Sequence, residues 1–309
     1  MKKPVSKWAK RWSTMKKQKE LVFISIPFVI YIIIFAYIPI WGWSMAFQNY
    51  KLNKTLFEQE WIGLKHFESL FLDDRFIEVL RNTVAMSTIN LVLGFTTAIG
   101  LALLLNEIKN QLFKRTIQTI SYLPYFLSWV IAAGIISTVL STDGILNVVL
   151  MELHLIKEPI LWLSQGKMFW GIVGGSTIWK ELGWNTIIYL GAMTAIDPAL
   201  YEAANVDGAG RFKKMWHITL PGIRPTIIIL LILSIGRILE AGFEVQYLLG
   251  RGMTMEYAET IDLFALNYGI SIGNYSLATA AGIFKSVVSV TLILSANAIS
   301  KKLGQERLL

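Results

Sequence analysis

Apolar residues gather into six long stretches along the chain, separated by shorter polar segments. A helix that crosses a bilayer needs about 20 mostly apolar residues, because the hydrocarbon core is about 30 Å thick. Only helices and closed barrels satisfy their backbone groups inside lipid, and runs of this length are helical. We therefore predict an all-α integral membrane protein with about six transmembrane helices. The predicted spans cover residues 21–47, 83–105, 116–140, 168–196, 225–249 and 276–299.

These spans form one predicted transmembrane domain, residues 21–299, between a basic tail at 1–20 and a short tail at 300–309. The first span is too long for a cleaved signal peptide, and no small-residue cleavage site follows it, so we expect it to remain as an anchor. Only 16% of the residues are charged and the mean hydropathy is +0.52, which disfavours a soluble protein. The absence of cysteine excludes disulfides and thiolate metal sites.

The longest predicted connection, residues 48–82, follows the first span and is rich in aromatic residues. Trp61, Phe67, Phe71 and Phe76 indicate an ordered segment, because large apolar rings favour burial. We expect small helices or a short folded cap here.

Lysine and arginine are unevenly distributed between alternate connections. One set carries 18 basic residues and the other carries eight. Cytoplasmic loops are the basic ones, so both termini are predicted to be cytoplasmic and residues 48–82 extracytoplasmic. The net charge of +8 is then a sign of topology, which disfavours nucleic acid as a partner. The basic tail could contact anionic lipid or could equally be a simple stop against translocation. The basic set is 1–20, 106–115, 197–225 and 300–309; the other set is 48–82, 141–167 and 250–275.

The predicted cytoplasmic loop at 197–225 begins with the signals of a short helix. Asp197 is a favourable N-cap and Pro198 is favourable at the first helical position. We therefore predict a helix over residues 198–206. It presents a carboxylate, Glu202, among small residues, which offers a directional contact for a basic partner.

The second half of this loop is predicted to turn and resume as a helix. Gly208 and Gly210 break the first helix, because glycine tolerates the positive φ of a sharp turn. A second short helix is expected over 212–218, and Pro221 is expected to help end it. The product is a helix–turn–helix knob.

This loop resembles the EAA loop, which marks the membrane subunits of binding-protein-dependent ATP-binding-cassette (ABC) importers. The resemblance rests on Glu202-Ala203-Ala204, three residues, Gly208, nine residues, Ile218, one residue, and Leu220-Pro221, placed between two spans on the predicted cytoplasmic side. In that family the loop inserts into a cleft of the ATPase subunit and couples ATP-driven closure to the spans. The docking residues that the resemblance implies are Glu202, Ala203, Ala204, Asp207, Gly208, Ile218, Leu220 and Pro221.

Other segments are similar to the carbohydrate branch of these importers, and the resemblance covers nearly the whole chain. They are residues 61–67, 81–83, 122–126, 179–185 and 207–209. The likeness is strongest to permeases for oligosaccharides and for pectin- or alginate-derived sugars of Gram-positive bacteria. It implies the type I importer (MetI-like) fold.

The resemblance also implies a set of partners. These are an ATPase dimer, a second permease subunit that is a related but different chain, an extracellular sugar-binding protein and a carbohydrate substrate in a bacterial plasma membrane. The chain lacks the GxxxxGK[ST] motif, so it does not itself cradle ATP phosphates. ATP and Mg²⁺ are then expected on the partner, with no cofactor in this chain and no enzymatic activity of its own.

Several charged residues fall inside the predicted fifth and sixth spans, where each costs about 2.5–3.5 kcal/mol. Arg237, Glu240 and Glu244 are spaced i, i+3 and i+7, which predicts one helix face, and Tyr247 extends it. Lys285 is alone on the sixth span.

The fourth span carries polar and aromatic residues on two adjacent faces. Lys180 and Trp184 share one face, Glu181 and Asn185 share the next, and Trp179 precedes them. These are candidates to contact solute.

Two interpretations of the intramembrane residues remain open. In the first, they line a translocation cavity and hydrogen-bond sugar hydroxyls, with the aromatic members stacking on sugar rings. In the second, Arg237–Glu240 and Lys180–Glu244 are structural pairs. Alanine at either glutamate separates the two, because a cavity residue affects uptake and a structural pair affects assembly.

Other functions have weaker support. His66, His154 and His217 are far apart and lack metal-site spacing. The rival to an importer subunit is a self-sufficient ion-coupled carrier that uses the charges of the fifth span as a relay. Transport by the chain alone, without ATP, would favour that carrier.

Overall fold

The computed structural model describes residues 17–250 and 252–302, so most of both predicted tails, 1–16 and 303–309, lies outside the described residues. Helices dominate this part of the chain, apart from one two-stranded ribbon, β1 (Gln48–Asn49) and β2 (Glu60–Trp61). The α-helices are α1 (Lys19–Ile32), α2 (Lys65–Leu72), α3 (Asp74–Glu107), α4 (Gln111–Tyr122), α5 (Trp129–Val139), α6 (Ile145–Glu152), α7 (Gly166–Met193), α8 (Pro198–Val206), α9 (Arg211–Lys214), α10 (Leu220–Gly222), α11 (Arg224–Gly236), α12 (Phe243–Leu249), α13 (Met255–Ala258), α14 (Ile261–Leu266) and α15 (Tyr275–Lys302).

Three described helices are long and apolar enough to cross a membrane, or five if each of two sharply bent helix pairs is one span. The three are Lys19–Phe47, which is α1 continued by π- and 3₁₀-helical turns, then α3 and α15. Helix α7 has 28 residues but is less apolar, because Lys180, Glu181 and Asn185 interrupt it. The three long helices, the two bent pairs and α7 together are consistent with about six spans.

The third predicted span, residues 116–140, is not one straight helix. Helix α4 continues into a 3₁₀ turn, Leu123–Phe126, and the chain then bends by 106° before α5 begins. Ser128 accepts a hydrogen bond from the backbone N–H of Ile131 and so caps α5. The residues at the bend itself, 123–130, are mostly apolar, so hydropathy alone did not reveal it.

The fifth predicted span, residues 225–249, is also interrupted. Helix α11 ends at Gly236, the chain is non-helical up to Gly242, and α12 follows as a separate short helix. Gly242 has φ of 89°, a conformation that glycine adopts readily. We call residues 237–242 the break.

The predicted cap at 48–82 is ordered in the structure. Gln48 pairs with Trp61 across the ribbon, and Trp61 stacks on Phe47 with ring centroids 5.6 Å apart. Helix α3 begins at Asp74, nine residues before the predicted span, because Asp73 caps it by accepting a bond from the Arg75 N–H. The last part of this segment is therefore the first two turns of α3.

Packing is organised along α3, which contributes to three hydrophobic clusters in succession. Phe76 belongs to the first, Met86 to the second and Ala98 to the third. Helix α7 packs along α3, and contributes Phe169 to the second cluster and Tyr189 to the third. This pair of helices is the frame on which the candidate sites are built.

The first helix packs much less. None of its side chains between residues 19 and 37 is buried, whereas Ala46 at its far end joins the first cluster. Its apolar surface therefore faces lipid or another subunit.

Candidate functional site

Residues 197–222 form the predicted helix–turn–helix, which we call the coupling knob. The Asp197 carboxylate accepts a hydrogen bond from the Ala199 N–H at 2.9 Å and starts α8. Gly208 has φ of 70° and makes the turn, whereas Gly210 has φ of −68° and only begins the next helix. The expectation that both glycines break the helix is thus correct for Gly208 alone.

The second helical arm of the knob is longer than predicted. It runs without interruption through α9, a π-helical turn at Met215–Thr219, and α10. Pro221 is the residue before the last one of this arm, Gly222, so the expectation that it helps to end the arm agrees with the structure.

Two side-chain contacts hold the arms of the knob together. The hydroxyls of Tyr201 and Thr219 lie 2.9 Å apart, and Thr219 is buried. The Lys214 amine donates to the Asn205 side-chain oxygen at 2.7 Å. Both contacts are local to the knob.

The predicted docking residues are mostly on the outer surface of the knob. Glu202, Ala203, Asp207, Gly208 and Pro221 are exposed, and Leu220 is partly buried. Ala204 and Ile218 lie in a groove between the two arms, together with Ala209, Lys213, Lys214 and His217.

Three large apolar side chains of the knob were missed by the sequence reasoning. Val206, Phe212 and Trp216 are 89%, 82% and 67% exposed. Their presence in a connection predicted to lie outside the membrane was the available signal, because large apolar and aromatic side chains exposed on a surface mark interfaces.

A second candidate site is a cavity of about 310 Å³ between α3, α7, α11 and the break. Its position near the middle of α3 and α7 places it at mid-depth of the membrane-spanning part. Its polar lining is Ser87, Asn90, Glu181, Asn185, Tyr189, Ser234, Arg237 and Glu240.

Two side-chain atoms of this lining are buried without a partner. Neither the Ser87 hydroxyl nor the Asn90 side-chain oxygen has a hydrogen-bond partner within the described part of the chain. A buried polar atom left in this way costs about 1–3 kcal/mol, so such atoms point to water or a ligand. Both residues were missed by the sequence reasoning, although a polar amide amid an apolar span is itself a signal.

Helix α7 divides the predicted residues between two surroundings. Glu181 and Asn185 line the cavity, but Lys180 and Trp184 do not. The Lys180 amine donates to the Tyr125 carbonyl at 3.0 Å, and Trp184 stacks on the Tyr125 ring at 4.6 Å. Trp179, 39% exposed, is also absent from the cavity lining.

The predicted shared helix face of the fifth span is wrong, because the break separates its members. Arg237 and Glu240 lie in the break and line the cavity. Glu244 and Tyr247 lie on α12 outside that lining, where Tyr247 stacks on the Phe243 ring at 5.4 Å.

The predicted structural pairs are also wrong. Between described residues, neither Arg237 with Glu240 nor Lys180 with Glu244 forms a salt bridge. Lys285 is not alone, because its amine is 2.7 Å from the Asp262 carboxylate. The sequence could not show this pairing, since Asp262 lies in the segment before the last span.

Comparisons with known proteins show which family the chain belongs to. Residues 76–305 match the family described as "Binding-protein-dependent transport system inner membrane component". Two relatives from Bacillus subtilis (strain 168) are similar over nearly the whole chain. Protein LplB is 42% identical over 96% of this chain and 93% of its own, and the polygalacturonan/rhamnogalacturonan transport system permease protein YteP is 44% identical over 94% and 90%.

A solved structure has the same architecture. A bacterial ABC transporter involved in the import of the acidic polysaccharide alginate contains a chain with a TM-score of 0.87 and 40% identity, over 95% of this chain and 99% of that one. The predictions of a MetI-like importer fold and of a non-catalytic permease subunit are confirmed by these matches. The chain belongs to the family of inner membrane components of binding-protein-dependent transport systems.

Proposed function

We propose that this chain translocates a sugar or oligosaccharide and that an ATPase docked on the coupling knob drives it. The observation that carries the proposal is the continuity between knob and cavity. Helix α7 ends four residues before Asp197, and α11 begins directly after the knob. Both helices line the cavity, through Glu181 and Asn185 on α7 and Ser234 on α11. A displacement of the knob therefore acts on two walls of the cavity at once.

The surface of the knob suits a docking partner. Glu202 supplies an exposed carboxylate beside small residues that permit close approach, and a basic group of the ATPase is its complement. Phe212 and Trp216 add exposed aromatic area, which provides much of the energy at protein interfaces. In this arrangement ATP and Mg²⁺ bind the partner and not this chain.

The cavity supports a polyhydroxylated solute. Ser87 and Asn90 present unpartnered polar atoms, and Asn185, Arg237 and Glu240 add donors and acceptors for hydroxyl groups. The predicted stacking aromatics Trp179, Trp184 and Tyr247 lie elsewhere, and the aromatic side chains of the lining are Phe95 and Tyr189. Since YteP carries polygalacturonan or rhamnogalacturonan in its name and the solved relative imports alginate, we infer a pectin- or alginate-derived oligosaccharide as the substrate.

The assembly requires further chains. This chain offers one knob, and an ATPase dimer has two clefts, so a second permease, related but different, fills the other. The unburied face of Lys19–Phe47 is available to that subunit or to lipid. An extracellular sugar-binding protein delivers solute, as a periplasmic protein carrying alginate pentasaccharide is bound to the solved relative. Both termini are then cytoplasmic, in the plasma membrane of a Gram-positive bacterium.

The test is a charge reversal on the knob. In proteoliposomes that hold the complete importer, Glu202→Lys is expected to abolish ATP-dependent sugar uptake and to reduce copurification of the ATPase. Glu20→Lys makes the same charge change at an exposed position outside the knob and is expected to leave both unchanged. Intact uptake in Glu202→Lys would refute the proposal, as would sugar transport by the chain alone without ATP.

A further inference from the structure

Lys180 is a buried cation that serves neither the knob nor the cavity lining. It lies near the middle of α7 and is only 7% exposed. Its amine donates to the Tyr125 carbonyl at 3.0 Å and lies 5.3 Å from the ring centres of both Tyr125 and Trp129. Burying an ammonium group is costly, so these compensating contacts form a built site for the lysine.

The contacts of Lys180 all belong to one feature, the bend between α4 and α5. We call residues 123–128 the elbow. The Tyr125 carbonyl lies in its 3₁₀ turn, where carbonyls at a helix end lack intrahelical partners and a cation is favourable. Trp129, the other ring under the amine, is the first residue of α5. Lys180 therefore touches the end of one helix and the start of the next.

Two neighbours of Lys180 on α7 contact the same bend. A Cβ atom on Gly183 would overlap the Ser121 carbonyl, so the backbones touch there. Trp184 stacks on Tyr125 with an interplanar angle of 4°. Lys180, Gly183 and Trp184 are spaced i, i+3 and i+4, so one face of α7 holds the bend.

The elbow is connected to the far side of the cavity. Helix α5 contributes Ala133 to the cluster that contains Val245 and Leu249 of α12. Helix α12 follows the break that carries Arg237 and Glu240. Contacts thus run from α7 through the elbow and α5 to the segment that closes the cavity.

We propose that Lys180 is a positioning residue for transport, which fastens the elbow to the helix that leads into the knob. When the knob moves, the elbow, α5 and α12 move with α7 because Lys180 and its two neighbours hold them together. Without these contacts, ATP hydrolysis continues but the walls of the cavity no longer move with the knob. The inference rests on the proposed function, since it requires the knob to be driven.

The experiment measures sugar uptake per ATP hydrolysed by the complete importer in proteoliposomes. Lys180→Met keeps an unbranched side chain that is one heavy atom shorter and removes its charge, and Lys180→Arg retains a cationic donor. Lys167→Met is the control, because Lys167 is exposed at the outer end of the same helix. Lys180→Met is expected to lower uptake per ATP by about tenfold with ATP hydrolysis unchanged, and Lys180→Arg to restore most of it.

A second variant covers the case in which Lys180→Met does not assemble. Trp184→Leu removes a ring contact with the elbow at a position that is 42% exposed, and it creates no unpaired charge. We expect it to lower uptake per ATP as well, but by less than Lys180→Met does. The proposal would be overturned if the variants assemble and their uptake per ATP is unchanged. It would also be overturned if Lys180→Met, Lys180→Arg and Trp184→Leu all fail to assemble. No ATP-driven uptake in the wild-type complex would instead defeat the proposed function.

Discussion

The coupling knob and the elbow are both places where one helix ends, the chain turns and another helix begins, but different contacts hold them. In the knob, the bonds join its own residues, as between Asp197 and Ala199 or between Tyr201 and Thr219. In the elbow, the main contacts come from α7, whose Lys180 is 55 residues away from Tyr125 along the chain. The knob is a local structure and the elbow a tertiary one.

The difference determines what each region can do. Because the knob holds itself together, its outer surface is available to the proposed partner, and we expect substitutions there to affect docking more than the fold. Because the elbow depends on α7, substitutions there change the packing around the cavity. The predictions that follow test this division, from the largest expected effect to the smallest.

The largest effect is expected at Gly183, where α7 touches the bend. In Gly183→Ala the new methyl group meets the Ser121 carbonyl, which is backbone and cannot rotate away. We expect a loss of about 3 kcal/mol, typical of strong overpacking, and a clearly lower melting temperature of the purified protein. Gly175→Ala on the same helix meets open space and is expected to melt like the wild type. Equal melting temperatures would show that the elbow is not held by α7.

A smaller effect, mainly on docking, is expected at Gly208. Its φ of 70° is costly for a side chain, by about 1–2 kcal/mol, although a Cβ atom there meets no neighbour. Gly208→Val is therefore expected to weaken ATPase binding by about tenfold and to lower the melting temperature by only a few degrees, less than Gly183→Ala does. Gly210→Val, at φ of −68° and also in open space, is the matched control. If the two variants bind the ATPase equally, the turn geometry is irrelevant to docking.

The smallest effect is expected at Tyr201. Tyr201→Phe removes the hydroxyl contact with Thr219 and costs about 1 kcal/mol. Hydrogen exchange should quicken in α8 and α9 but not in α7, because the contact is local to the knob. Tyr37→Phe, exposed on the first helix, is the control. Faster exchange in α7 would mean that the knob is not an independent unit.

Much of the knob could be predicted from the sequence because its signals are local. The helix expected over 198–206 is observed as Pro198–Val206, since Asp197 and Pro198 specify its start and Gly208 its end. The same reasoning misplaced the end of the second arm, which reaches Gly222 rather than residue 218, because the π-helical turn at Met215–Thr219 carries the helix on to Pro221.

The elbow and the break could not be predicted, because hydropathy averaged over a whole span stays apolar through both, although the break itself carries Arg237 and Glu240. Hydropathy reports whether a segment prefers lipid and is silent about whether its helix is continuous. The assumption of a continuous fifth helix placed Arg237, Glu240 and Glu244 on one face, and the break separates them. On α7 the helical period was right, but only packing decides that Glu181 faces the cavity and Lys180 the elbow.

The most direct test of the central claim uses the absence of native cysteine in the chain. A single thiol is introduced in the knob as Ala203→Cys, and a membrane-impermeant maleimide is applied to intact cells and to inside-out vesicles with and without the ATPase. Phe57→Cys, exposed in the cap, is the control with the opposite expected sidedness. The account predicts that Ala203→Cys is labelled only in inside-out vesicles and is protected when the ATPase is bound. Labelling from outside the cell, or labelling that the ATPase does not block, would contradict it.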